Sequence, residues 1–137
     1  MRRLARRAAL IALALSLLTA SIAVATTFRG AAIDDRQMRV KVRSGKDGSV
    51  SFSYSEVLVE CSNGETLREP GAQHSGTLND RNRFKDTIAE QVAGGVASSV
   101  VKGRIGAKKA TGIVRFELTY DGGACRSGAV AWKAKRR

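Results

Sequence analysis

At 137 residues the chain is the size of one domain, small enough that a hydrophobic core alone buries a modest share of its surface. Its 24 Lys and Arg against 12 Asp and Glu give a formal charge of +12, which favours anionic partners over cationic ones. Two cysteines, far apart in sequence, do not form the paired spacing of a cysteine-based zinc site.

Residues 1–25 read as a secretory signal peptide. Arg2, Arg3, Arg6 and Arg7 form a basic start, residues 8–18 an apolar run, and Ala23-Val24-Ala25 a small-residue site before Thr26. The rival reading is an uncleaved anchor, since residues 8–25 are almost long enough to span a membrane. Cleavage puts the mature domain at residues 26–137, lowers its charge to +8 and leaves no transmembrane segment.

Residues 26–33 are weakly apolar and suit an edge strand. Met38, Val40 and Val42 alternate with Arg39, Lys41 and Arg43, a strand with a basic outer face. A turn at residues 44–48 follows. Val50, Phe52 and Tyr54 share one parity while Val57, Val59 and Cys61 share the other, so a bulge or a bend is expected near Ser55 and Glu56. Asn63-Gly64 is a turn, and residues 65–82, which hold the only Pro, read as a long loop with one short edge strand.

Residues 84–100 are ambiguous. Ile88, Val92 and Val96 at spacing four suggest a helix, with Thr87 and Glu90 placed like a capping box. The preferred alternative is a strand over residues 84–91, a turn at Ala93-Gly94-Gly95 and a strand over residues 96–105, in agreement with the β pattern elsewhere. From 110 to 120 the even positions are apolar or small, and only Ile113 breaks the alternation. Asp121-Gly122-Gly123 turns the chain toward Cys125 and a last strand with Val130, Trp132 and Ala134 on one face. Such a meander needs a second layer over its apolar face. The predicted fold class is therefore all-β: a single-domain antiparallel β-sandwich. In an exported protein, Cys61 and Cys125 form one disulfide, with Cα atoms expected about 4.4 to 6.8 Å apart.

The hairpin leading to Cys61, then Phe84, Val101-Lys102-Gly103-Arg104-Ile105, Ala110-Thr111-Gly112 and Cys125-Arg126-Ser127-Gly128 running into Trp132-Lys133-Ala134 form a pattern. It resembles a family of small, uncharacterised secreted proteins of high-GC Gram-positive bacteria. The resemblance covers nearly all of the mature chain and implies a single-disulfide β-sandwich; it carries no activity across.

No catalytic residue, metal site or cofactor is assigned. His74 beside Ser75 reads as a solvated loop histidine, although Ser75 or Ser127 with His74 and Asp80 supplies the residue types of a hydrolytic triad. Asn79, Asp80, Asn82 and Asp86 lack the spacing of a calcium loop and suit turns and caps. Glu56, Glu60, Glu65, Glu69 and Glu117 could provide paired carboxylates, the basis of an alternative reading as a small secreted carbohydrate-active enzyme. Trp132 is expected in the core near the disulfide. The functional hint is a basic face: Lys102, Arg104, Lys108, Lys109 and Arg115 fall on two adjacent strands and their link. Such a face suits an anionic cell-envelope polymer, teichoic-acid-like, or a lipid surface. Specific nucleic-acid reading is disfavoured by an aromatic content of 5%. The expected role is a secreted, non-catalytic binding or structural module at or near the cell envelope.

Overall fold

A computed structural model describes residues 25–137; the signal peptide expected over residues 1–25 falls almost wholly outside them. The described residues form eleven strands: β1 (Thr26–Ala32), β2 (Arg39–Ser44), β3 (Ser49–Tyr54), β4 (Glu56–Cys61), β5 (Thr66–Pro70), β6 (Gln73–Thr77), β7 (Arg83–Val92), β8 (Gly95–Ile105), β9 (Lys109–Tyr120), β10 (Gly123–Arg126) and β11 (Val130–Arg136). All pair antiparallel in one continuous sheet, ordered β5-β4-β10-β9-β11-β1-β2-β3-β6, with β8 and then β7 on the other edge of β9.

β9 organises the sheet. One edge pairs with β8 from Ala110 to Tyr120, while the other is shared between β11 along its first half and β10 along its last four residues. The sheet therefore forks there, and its twist curls the two branches around a common interior. The second layer expected over the meander is the same sheet folded over. Period-two alternation aims Phe28, Val40, Val42, Phe52, Val101, Val114 and Trp132 inward, all at most 3% exposed.

Residues 84–105 are two strands, not a helix, and Gly94 turns between them at φ 80°. The parity switch is a bend at Ser55: its N–H donates to Arg39 O, and its hydroxyl accepts from Arg39 N. That bend carries the chain from β3 to β4, far apart in the strand order.

Two strand assignments change. β1 is an interior strand between β11 and β2, not an edge; its apolar signal is thin because only Phe28 and Ala32 are buried. Residues 65–82 hold two edge strands, not one, and their side chains are mostly exposed, which erases any alternation.

Phe84, Gly103, Gly112 and Trp132 form one inward row across four neighbouring strands. The Phe84 and Trp132 rings lie over the two glycines, their centroids 6.5 Å apart, and Phe52 stands 4.8 Å from Trp132. Trp132 pairs with Gly112, whereas Cys125 pairs with Leu118, six positions on, so the tryptophan lies roughly 20 Å along β9 from the disulfide. The expectation of packing beside the disulfide is corrected accordingly. Trp132 Nε1 is the only buried side-chain polar atom among the described residues without a partner, so packing alone holds the ring.

Candidate functional site

The outer face of the sheet collects the cations. Alternation makes Lys102 and Arg104 on β8, and Arg115 on β9, project away from buried Val101, Ile105, Val114 and Phe116. Lys108 stands in the exposed link and Lys109 starts β9. Strand register then adds residues that no local pattern connects to these. Lys109 pairs with Lys135, Lys135 with Arg29 and Arg29 with Lys41, a row of four cations across β9, β11, β1 and β2. Arg83 faces Arg104 and Lys85 faces Lys102 across β7 and β8.

Like charges directly opposite one another destabilise a sheet unless something neutralises them. Nothing among the described residues does. Ion pairs among the described residues use Arg68 with Asp35 and Glu56, and Arg126 with Glu117. Glu117 is the one carboxylate at an outward position of β1, β2, β3, β7, β8, β9 and β11, and Arg126 occupies it at 3.1 Å.

Two open depressions mark this face. One, of about 600 Å³, lies over β7, β8 and β9 among Arg83, Lys85, Lys102 and Arg104, with Thr77, Asn79 and Thr111 as neutral hydrogen-bonding groups. The other, of about 490 Å³, lies over β11, β1 and β2 among Arg29, Arg36, Arg39, Lys133, Lys135 and Arg137. No carboxylate lines either.

His74 is a correction. It is 1% exposed, on β6, and not a solvated loop residue. Its Nδ1 is 2.9 Å from Asp86 Oδ2 and its Nε2 is 2.9 Å from Ser99 Oγ, which is 2.7 Å from the Tyr54 hydroxyl. One set of roles satisfies every member of the chain: Tyr54 donates to Ser99, Ser99 to Nε2, and Nδ1–H to Asp86. Asp86 also accepts from Ser75 N. These bonds join β6 to β7, two of the three ends of the forked sheet, where no backbone ladder pairs them.

The identities Asp, His and Ser are those of a hydrolase, but the setting differs. Ser99 is 2% exposed, in mid-strand between Ile88 and Phe116, and its oxygen is shared with Tyr54. The chain is a core support that closes the curl. Neither Ser75, Ser127 nor Asp80 bonds His74: the Ser127 hydroxyl accepts from Phe116 N and donates to Gly128 O. Asn79 caps Arg81 N and Arg83 N, and Asp86 is turned to His74. No motif could have revealed this network, because its members come from four strands.

Burial raises the Tyr54 phenol above its ordinary value, with the Ser99 bond pulling the other way. A phenol whose folded pKa is raised contributes stability that is full below the unfolded value of about 10 and falls as pH rises past it. The urea midpoint should therefore drop between about pH 9 and about pH 11, and drop less in Tyr54→Phe. Equal falls in both proteins would remove Tyr54 as the cause.

The carboxylates also have structural work. Asp35 and Glu56 both bind Arg68, at 3.0 and 3.2 Å. The Arg68 hydrogen bond holds Asp35 below its ordinary value, which suits ion pairing and not proton donation. Asp34, Asp35 and Glu60 line a further cleft of about 490 Å³ beside Arg126. No helix among the described residues is long and apolar enough to cross a membrane. Compared with protein-family models, curated proteins and solved structures, the chain finds no match, so its surface chemistry alone speaks for its role.

Proposed function

We propose that the protein is an exported, non-catalytic binding module that holds a polyanion at or near the cell envelope through its basic outer face. The observation that carries this reading is the Lys109-Lys135-Arg29-Lys41 row with the Arg83-Arg104 and Lys85-Lys102 pairs, all opposed and none neutralised by an acid. A face kept basic only for solubility gains nothing from setting like charges in register, because mixed signs keep a surface soluble as well. Here the repulsion is relieved when an anion binds.

Reversing Lys102, Arg104 and Arg115 to Glu tests it. The variant should elute from an anionic matrix at much lower salt than the parent, with a shallower dependence on salt concentration, because fewer counterions are released on binding. Its unfolding free energy should not fall and should rise by roughly 0.5 to 2 kcal/mol, because Lys102→Glu opposite Lys85 and Arg104→Glu opposite Arg83 turn opposed like charges into opposite-charge pairs. Elution together with the parent would end the proposal.

A further inference from the structure

The two depressions share one cross-strand row. Arg83, Arg104, Thr111, Lys133, Ala31 and Arg39 follow one another across β7, β8, β9, β11, β1 and β2. Within this row Thr111 and Ala31 are short, so they form low floor between long cationic side chains. On one side runs Lys85-Lys102-Ile113-Ala131, and on the other Lys109-Lys135-Arg29-Lys41. These rows outline a strip across the strands with cations at both ends, Lys133 between its two low points and a cationic row along one side.

We infer that the two depressions are subsites of one trough that takes a linear phosphate-bearing polymer lying across the strands; this rests on the polyanion reading above. The donor set points to phosphate. Arg forks and Lys point charges stand beside the neutral groups of Thr77, Asn79 and Thr111, a set of charged and neutral groups that suits oxoanions with several acceptor oxygens. The first depression centres on β8 and the second on β1, three strand spacings or roughly 14 Å apart. A single phosphate or head group fills one subsite, whereas a polymer reaches both, so its second contact is intramolecular and its affinity exceeds that of either site alone. Bases find no platform here: the rings nearest the floor, Phe84 and Trp132, are buried beneath it at 5% and 1% exposure.

The test is calorimetric titration of the full mature chain with tripolyphosphate and with long-chain linear polyphosphate at fixed salt. The long chain should bind at least about tenfold more tightly per phosphate. Lys102→Glu with Arg104→Glu, and separately Arg29→Glu with Lys133→Glu, should each abolish that advantage while tripolyphosphate still binds the intact subsite. Lys46→Glu with Arg81→Glu, an equal charge change in exposed turns, should preserve it. Equal affinity for both chain lengths, or a full advantage surviving in either depression variant, overturns the trough. Tighter binding of phosphatidylglycerol vesicles or single-stranded DNA than of long-chain polyphosphate overturns the choice of occupant. Retention on an anionic matrix without any chain-length advantage sinks the trough alone; absence of binding to every polyanion sinks the basic-face reading as well.

Discussion

Gly112→Ala should destabilise the protein by about 3 kcal/mol or more, toward the upper end of what overpacking a well-filled core produces. A Cβ at Gly112 meets the Lys102 carbonyl oxygen on β8, comes within 2.6 Å of Trp132 Cζ2 and lies 2.8 Å from the Gly103 Cα. Two of those three atoms are backbone in the central ladder, so relief requires β8 and β9 to part and not merely a rotamer to change. Gly103→Ala meets the Phe84 ring at 2.5 Å and Trp132 at 2.9 Å, side-chain atoms with more room to give, and should be milder. Gly48 provides the contrast: its φ of 84° leaves an added Cβ in open space, so Gly48→Ala should cost only about 1 to 2 kcal/mol through conformation. Urea unfolding of the three variants checks the ranking. A Gly112→Ala protein as stable as Gly48→Ala would show that the aromatic row is loosely packed.

Replacing Cys61 and Cys125 together with Ser should cost about 4 kcal/mol, the chain-entropy value for a loop closed over 64 positions. The bridge joins residues directly opposite each other on β4 and β10. Ser62 N donates to Ala124 O in the next pair, which makes the cysteines a non-hydrogen-bonded pair, the kind that approaches most closely. Their Cα atoms are 3.9 Å apart, below the 4.4 to 6.8 Å expected from unconstrained bridges, and this cross-strand placement is the reason. The loss should also be local. β4 joins the rest of the sheet through two paired residues of β10, although Val57 and Val59 on β4 are fully buried. Hydrogen exchange in the double variant should therefore speed up first in β4, β5 and β10, while amides of β8 and β9 hold longest. Uniform acceleration across all strands would show that the bridge acts only on the unfolded chain.

Within each strand, much was legible. β2, β3, β9 and β11 carry period-two alternation, broken in β9 at Ile113, and a half-buried strand exposes every second side chain to water whatever its neighbours are. The same rule was enough to set Lys102, Arg104 and Arg115 on an outer face. The switch of parity at Ser55 could be read for the same reason: inward residues changed from even to odd numbers.

β1, β5, β6 and His74 were not legible in that way. β5 and β6 lie at the ends of the strand order and bury too little to leave a periodic trace. His74 looks solvated in a polar stretch, yet Ser99 and Asp86 receive it from strands far along the chain. Nor could any local pattern foresee that Arg29, Lys41, Lys109 and Lys135 align, because their register is set by which strands become neighbours.

By itself, then, the sequence determined the all-β class, the pairing of two cysteines and which side of each strand meets water, since these follow from composition and a two-residue period. The tertiary structure alone decided that one sheet curls on itself, that His74 is sealed where two of its ends meet, and that cations of separate strands fall opposite one another in register. Those outcomes depend on contacts between residues distant in the chain, whose geometry is chosen by the closure of the whole sheet and not by any segment within it.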